Sequence, residues 1–434
     1  MKKQKILIIK LSAIGDVVMT LPMIEAAKKK YGEDVEITWV CGKIASPIIK
    51  TFFEDVKVIE VDEKKLLKGS LLEKISEVIK IWLKIAFKKF VLVATAHSDI
   101  RYRLLTLPVI AKTKRHWGIT NGRKHPVSGR YHGIEAVWLI TGNDDNKLVE
   151  YKLPKLCIKN GLCEERCDEA IHKNMRQDVL KPSLEGGNKR EGDLTSENFN
   201  SLEHLSSKAE SKDAPFIKGG CQAMPDRGIF KETDEKPLCH YVTSQQRLSL
   251  PVAACTPPSM AAALKKGSKK RIVLVPGGAK NILADNPCRR WSLHKYVELT
   301  KELLKVGDEV ILVGSDSDKW VNEAFNNLKV TNLIGKTNLI ELLNVLSQAD
   351  LVVTHDTGTL HLAQLTNTKT IALFGPTNPR ELSEVSELTK IIWKPENLAC
   401  CPCYDGKTYS ECSDNKCMKN ISVKEVLEVI CGRW

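Results

Sequence analysis

The chain has 434 residues and carries 66 Lys and Arg against 53 Asp and Glu, which gives a net charge of +13. This length is sufficient for two domains with full cores, and no run of about 18 uncharged apolar residues offers a membrane-spanning helix. The basic balance favours an anionic partner, but no zinc-finger spacing, RNA-binding aromatic motif or recognition helix accompanies it, so we expect no nucleic acid.

The N-terminus has charges before the apolar run Ile6–Ile9. This run is too short for a signal sequence and lacks a cleavage site, so it predicts a first buried strand. The 14 cysteines are mostly scattered and no secretory signal accompanies them, which indicates a reducing cytoplasm.

Apolar runs alternate with helical periodicity through the first part of the chain. They predict strands at 5–10, 35–40, 56–61, 90–94 and 115–119, with helices at 17–30 and 71–87. This βαβ rhythm is typical of a parallel, doubly wound sheet. The lysine-rich 71–87 helix has two interpretations: a core-packed helix with a solvated lysine face, which we favour, or a helix on a membrane surface.

The pattern breaks down between 159 and 269, where Gly, Ser, Lys, Glu, Asn and Pro dominate. Only Cys163–Val179 retains a helical spacing. We therefore predict a first domain at 1–158, a flexible interdomain insertion at 159–269 and a second domain at 270–434.

The alternation returns in the second domain. Strands are predicted at 271–275, 309–313, 330–334, 351–353 and 370–374, and helices at 293–305, 319–328, 339–348, from Gly358 onwards and at 423–430. Two polar turns, Asp356-Thr357-Gly358 and 375–379, follow neighbouring strands and should open on one carboxyl edge, where an α/β sheet binds its ligand. A helix beginning near Gly358 suits a phosphate. No dinucleotide-binding or P-loop glycine motif is present.

Four motifs occur in a characteristic order: residues 10–22 (KLSAIGDVVMTLP), 276–280 (PGGAK) with 289–291 (RRW), 355–361 (HDTGTLH) and 374–377 (FGPT). This set resembles the lipopolysaccharide heptosyltransferases of glycosyltransferase family 9. The cysteine-rich ending is similar to that of the heptosyltransferase II branch. The resemblance implies a GT-B fold, in which two Rossmann-like domains face each other across a cleft, and an inverting transfer that requires no metal cofactor.

By this resemblance Asp16 is the catalytic base that takes the proton of the acceptor hydroxyl. Its alternative interpretation is a helix-capping carboxylate. The donor diphosphate and sugar are assigned to one group of residues, namely Lys280, Arg289, Arg290, Asp356, Thr357, Gly358, Thr359 and His361. His361 could instead be a packed helix histidine, and Asp316 is a candidate for the donor ribose.

Ser12, His97, Arg101 and Arg103 match the acceptor side, where cations would suit a phosphorylated sugar. The same residues could form a solvated loop. Near the C-terminus, Cys400, Cys403, Cys412 and Cys417 have a spacing compatible with a structural zinc site; reduced thiols or a disulfide are the alternatives.

The sequence thus predicts a cytoplasmic enzyme that moves heptose from ADP-L-glycero-D-manno-heptose to the lipopolysaccharide inner core, bound to the inner face of the cytoplasmic membrane. Two alternatives stay open: another nucleotide sugar or acceptor glycan on the same fold, or a catalytically silent glycan-binding relative.

Overall fold

The structure is a computed structural model. It describes residues 3–432 except 118, 121–122, 125–130, 143–150, 157–268, 283, 385, 397, 405–408 and 413. The insertion predicted for 159–269, apart from Lys269, and the helix predicted for Cys163–Val179 lie outside the described residues.

The first half contains one parallel sheet and a small hairpin. Its strands are β1 (Lys5–Ile9), β2 (Glu36–Gly42), β3 (Lys57–Val61), β4 (Lys89–Thr95), β5 (Ile110–His116) and the hairpin strands β6 (Ile119–Thr120) and β7 (Arg123–Lys124). Its helices are α1 (Ile14–Thr20), α2 (Pro22–Tyr31), α3 (Ser46–Phe52), α4 (Glu63–Lys68), α5 (Leu71–Ile85) and α6 (His132–Thr141), with a 3-10 helix at Ile100–Thr106. The sheet order is β3-β2-β1-β4-β5, and every pair is parallel.

The second half repeats this architecture with six parallel strands. They are β8 (Arg271–Leu274), β9 (Glu309–Leu312), β10 (Thr331–Asn332), β11 (Leu351–His355), β12 (Lys369–Phe374) and β13 (Thr389–Trp393), in the order β10-β9-β8-β11-β12-β13. The helices are α7 (Leu293–Lys305), α8 (Leu339–Ser347), α9 (Gly358–Gln364), α10 (Pro379–Leu382), α11 (Lys416–Lys419) and α12 (Val423–Ile430), with 3-10 helices at Pro287–Arg289 and Asp316–Phe325. Two doubly wound sheets confirm the predicted fold class.

Three predicted elements differ from the structure by more than two residues at a boundary. The helix predicted for 17–30 is two helices, because Pro22 lacks an N–H and begins a new helix at α2. The strand predicted for 115–119 is the end of β5, which alternates exposed and covered residues at the sheet edge. The helix predicted for 319–328 is a 3-10 helix that begins earlier, where Ser315 and Asp318 form a capping box.

The favoured interpretation of the 71–87 helix is wrong for much of its apolar surface. Helix α5 buries Glu77, Ile81 and Ile85, whereas Leu72 and Leu83 are each 79% exposed. A capping box between Ser70 and Glu73 satisfies backbone N–H groups at its N-terminus. The apolar stripe of α5 is therefore wider than the part that the core covers.

The two halves share one compact unit and a continuous core. One buried apolar cluster extends from Val17 and Trp39 in the first half to Leu346 and Leu362 in the second. Helix α1 contacts α9, and α3 contacts α8. Of the helices that the structure describes, none combines the length and apolar character needed to cross a bilayer.

The segment 151–156 joins the first half to the second by polar contacts. The Leu153 N–H donates to Glu384 Oε1 at 2.9 Å, and the Leu156 N–H donates to the Leu365 carbonyl at 2.6 Å. Lys155 Nζ lies 3.6 Å from Glu384 Oε2. This part of the predicted first domain is therefore anchored on the second.

Candidate active site

The candidate site lies at the topological switch points of the two sheets. In the first sheet β1 and β4 are neighbours but their connections run to opposite sides, and β8 and β11 have the same relation in the second. Ligands of open α/β sheets bind at such points, beside the carboxyl ends of the strands. The four loops that leave these strand ends contain most of the predicted site residues.

Asp16 is in the first turn of α1 and forms an ion pair with Lys10. Lys10 Nζ donates to Asp16 Oδ2 at 2.9 Å; the lysine side chain is 5% exposed and the aspartate side chain 46% exposed. Burial acts to raise the pKa of Asp16, but the charge and hydrogen bond of Lys10, helped by His132 and His361, outweigh it and lower that pKa. Asp16 is therefore an accessible, ionised carboxylate at neutral pH.

The loop before Asp16 is held from β4 and α4. The Leu11 N–H donates to His97 Nε2 at 2.9 Å, and the His97 ring stacks on Tyr102 with 3.8 Å between centroids. Burial lowers the pKa of His97, which agrees with an imidazole that accepts at Nε2. Ser12 interacts with Glu63, whose pKa burial raises to about 7. His97 is thus a buried anchor of the loop that leads to Asp16.

The two predicted acceptor arginines remain at the surface. Arg101 is 83% exposed and its Nε donates to Asp99 Oδ2 at 2.8 Å. Arg103 is also exposed. Both lie on the short 3-10 helix that follows His97, and His97 contacts the loop that leads to Asp16.

Asp356 is the buried centre of the second half. Arg289 Nη2 lies 2.9 Å from Asp356 Oδ1, and Thr377 Oγ1 donates to Asp356 Oδ2 at 2.8 Å. Burial acts to raise the pKa of Asp356, but Arg289, His361 and Thr377 outweigh it and lower that pKa. Three predicted motifs thus meet at one carboxylate. Thr357 caps α9 by accepting from the Thr359 N–H at 3.2 Å.

Arg290 and Asp318 organise the glycine turn after β8. Arg290 Nε donates to the Gly278 carbonyl at 2.9 Å, and its guanidinium lies 5.4 Å from the Trp320 ring centroid. The Gly278 N–H donates to Asp318 Oδ1 at 2.7 Å, with Gly278 in the left-handed region at φ 91°. Asp318 also accepts from the Ser315 N–H at 2.8 Å.

Lys280 and Asp316 are less enclosed. Lys280 is exposed and forms an isolated antiparallel bridge with Asp285, whose carboxylate pairs with Arg290. Asp316, the candidate for the donor ribose, has a side chain that is 80% exposed and pairs with Lys319 at 2.5 Å. Its neighbour Asp318 is the buried carboxylate of this loop.

The two switch points meet at α1 and α9. A Cβ at Gly15 would overlap the ring of His361, and a Cβ at Gly358 would lie 3.5 Å from Ile14 Cβ. His361 is buried; burial lowers its pKa, while Asp356 and Asp16 act to raise it. His361 therefore lies between the carboxylate of the first half and the buried carboxylate of the second.

Comparison with known proteins shows which family this arrangement is similar to. Residues 238–412 match the family described as Glycosyltransferase family 9 (heptosyltransferase). This match covers less than half of the chain.

Similar proteins extend the match along the sequence. Lipooligosaccharide heptosyltransferase 2 of Haemophilus influenzae is 29% identical over 199 residues, which cover 43% of this chain and 54% of that protein. The lipopolysaccharide core heptosyltransferase OpsX of the same organism is 20% identical over 390 residues, 89% of this chain and 83% of that protein. The chain spans about half the length of the heptosyltransferase 2 relatives it matches.

Solved structures agree with the fold. Heptosyltransferase II of E. coli superimposes with a TM-score of 0.56 at 17% identity, over 98% of this chain and 97% of that one. The E. coli heptosyltransferase WaaC, solved with ADP, gives 0.55 at 15% identity over 98% and 99%. The chain therefore has the predicted GT-B fold.

Several residues of the candidate site were not predicted from the sequence. Lys10 and Thr377 lie inside the quoted motifs but received no role, and their ion pair and hydrogen bond became apparent only in three dimensions. His132 lies far from Asp16 in sequence, so its electrostatic influence on Asp16 could not be inferred. Asp318, two residues after Asp316, was distinguishable only as the Ser315 capping partner.

The four predicted zinc cysteines surround one cavity of the second half. Cys400, Cys403, Cys412 and Cys417 line a volume of about 130 Å³ together with Cys288, Cys401 and Pro376. All cysteines that the structure describes are free thiols. In this part of the chain no three His, Cys, Asp or Glu side chains are arranged to hold a metal ion, and the zinc site stays a prediction.

Proposed function

We propose that the protein is an inverting glycosyltransferase that transfers heptose from ADP-L-glycero-D-manno-heptose to the lipopolysaccharide inner core, in the cytoplasm at the inner face of the membrane. One observation carries this proposal: two carboxylate groups lie on either side of His361. The first is the half-exposed Asp16, which pairs with Lys10. The second is the buried Asp356, which is held by Arg289 and Thr377.

Asp16 is suited to the role of base. It is ionised because Lys10, His132 and His361 lower its pKa, and its side chain is accessible to an acceptor hydroxyl. In the transfer the hydroxyl oxygen forms a bond to the anomeric carbon while its proton passes to Asp16. A base of low pKa is a weak one, so positioning of the hydroxyl contributes much of the rate.

The departing group takes the electron pair of the sugar–phosphate bond, and its negative charge requires cations. Arg290 and Lys280 are at the glycine turn after β8, the position at which a Rossmann-like domain holds a diphosphate. Arg289 is committed to Asp356, so its charge acts chiefly to hold the Thr357–His361 segment in place. We assign the donor sugar to that segment and the acceptor to the Ser12 and His97 side.

Calorimetric titration with ADP, ADP-mannose, UDP and NAD tests the donor assignment. Selective binding of the ADP species is expected, and preference for UDP would replace the proposed donor with another nucleotide sugar. Absence of nucleotide binding would favour a silent glycan-binding protein. ADP-mannose serves as a heptose surrogate because it has the same diphosphate and a related ring.

Metal-independent transfer is part of the proposal, since the leaving group can be stabilised by side chains alone. We expect turnover after exhaustive chelation with EDTA to stay within about twofold of the untreated enzyme. A larger loss that added Mg²⁺ or Mn²⁺ restores would refute it. Zinc analysis of the untreated protein, with a Cys400→Ser and Cys403→Ser variant as control, decides between metal and free thiols at the C-terminal cavity.

A further inference from the structure

The first half presents an apolar surface that its own core does not cover. The exposed fraction is 73% at Leu71, 79% at Leu72, 45% at Ile75 and Ile79, and 79% at Leu83. At 3.6 residues per turn these five side chains cover about 120° of the circumference of α5. Such a contiguous apolar stripe is uncommon on the surface of a protein that has no partner there.

The stripe continues beyond the helix. Phe87 is 85% exposed, and its N–H donates to the Pro108 carbonyl at 3.3 Å. Trp82 Nε1 donates to the Leu104 carbonyl at 3.0 Å, and Leu104 and Leu107 are 53% and 62% exposed. These contacts place the end of α5 against residues 104–108, so both segments contribute to one surface, which we call the docking face.

Positive charge surrounds the docking face. Residues 71–115 contain ten Lys and Arg against three Asp and Glu. One of the acids, Glu77, is buried and paired with Lys80, and another, Asp99, is paired with Arg101. Leucine and phenylalanine flanked by lysines are the composition of a surface that binds an anionic bilayer, with apolar groups in the interface and ammonium groups at the head groups.

The docking face adjoins the catalytic edge. Tyr102, between Arg101 and Arg103, stacks on His97, which accepts from the loop that leads to Asp16. A bilayer in contact with the 3-10 helix at Ile100–Thr106 would therefore lie beside the acceptor side of the site. A second copy of the chain on the same face would bring two sets of basic residues together, which disfavours a dimer there.

We propose that the docking face, formed by α5 and residues 87–110, binds the surface of an anionic lipid bilayer. The inference rests on the proposed function, since it explains how a lipid-anchored glycan acceptor reaches Asp16. It also explains why the apolar stripe of α5 is exposed, because these side chains would contact lipid instead of the protein core. Ionic strength should weaken the binding because charged head groups contribute to it.

The test is co-flotation of the full chain with vesicles of phosphatidylcholine, with and without phosphatidylglycerol. The wild type should bind the anionic vesicles, and an Ile79→Glu/Leu83→Glu variant should bind them at least about tenfold more weakly, because two apolar groups become anionic. Ile391→Glu is the matched control. Ile391 is 37% exposed on β13 of the second half, so this variant should bind the vesicles like the wild type. Circular dichroism checks that each variant is folded.

Unchanged vesicle binding by the double variant, or no binding by the wild type, would overturn the proposal. So would sedimentation showing a wild-type dimer that the double variant converts to monomer without any vesicle binding. Transfer to a soluble acceptor without lipid chains should be equal in the double variant and the wild type. If neither the wild type nor any variant transfers heptose, the proposed function fails, and the vesicle-binding result can still be interpreted by itself.

Discussion

The two carboxylates at the centre of the site differ in how the protein encloses them. Asp16 has one direct ion pair, with Lys10, and nearly half of its side chain is exposed. Asp356 is 3% exposed at the side chain and is held by both Arg289 and Thr377. A group that exchanges a proton with substrate needs access, whereas a group that fixes two loops needs burial. This difference agrees with the proposal that Asp16 acts as the base, whereas the Asp356 carboxylate holds the loops of the second half in place.

The largest effect is expected for Asp16→Asn. The amide cannot accept the proton of the acceptor hydroxyl, so kcat should fall by about 10²- to 10⁴-fold while the dissociation constant for ADP stays the same. Asp55→Asn is the control, because Asp55 is also a half-exposed carboxylate paired with a lysine, Lys28, away from the site. Full turnover in Asp16→Asn would remove the assignment of the base.

Removal of one partner of the buried pair should chiefly reduce stability. Asp356→Asn leaves the Arg289 guanidinium without its counter-charge, and Arg289→Met does the same to the carboxylate. Each should lower the free energy of unfolding by about 3–5 kcal/mol, measured by urea titration. The double variant should lose less than the sum, and a wild-type midpoint in either single variant would mean that the pair is not structural.

An effect of intermediate size is expected for substitution of Asp318, and the neighbouring Asp316 is its matched control. Asp318→Ala removes the acceptor of the Gly278 and Ser315 N–H groups, each worth about 1.5–3 kcal/mol to a charged partner. We expect the KM for the nucleotide sugar to rise at least tenfold. Asp316→Ala should change it little, because Asp316 is exposed; a large change there would instead support its contact with the donor ribose.

The smallest effect concerns pH. Lys10 is one of the groups that lower the pKa of Asp16, and only the ionised carboxylate can accept a proton. Lys10→Met should therefore raise that pKa and move the acid limb of the kcat/KM profile to higher pH, while Lys10→Arg keeps the wild-type limb. An acid limb that stays in place in Lys10→Met would indicate that another group controls it.

The fold could be predicted because its signals are local. Apolar strands such as Ile6–Ile9 and Leu351–Val353 are buried on both faces, and the alternation with helices specifies a parallel sheet. The clustering of the polar turns at one sheet edge could be predicted because they follow the ends of those strands, whereas the role of each site residue came from the family resemblance. The predicted boundaries of helices were wrong where a single residue sets them, as at Pro22, and where a capping box sets them, as at Ser315.

Pairings between distant residues could not be predicted. Nothing in the local sequence indicates that Arg289 pairs with Asp356, or that His97 accepts from the Leu11 N–H. The exposure of α5 was predicted wrongly for a related reason. Helical periodicity shows which residues share a face, but the neighbouring elements decide how much of that face is covered.

The absence of a Cβ atom at Gly15 has a structural consequence. It lies in α1, with ordinary helical geometry, so no turn requires glycine there and the residue weakens the helix by about 0.5–1 kcal/mol relative to alanine. In return the α1 backbone lies directly against the His361 ring. A methyl group at this position would act as a wedge between the halves. The absence of a Cβ atom at position 15 therefore sets how closely α1, which carries Asp16, approaches His361.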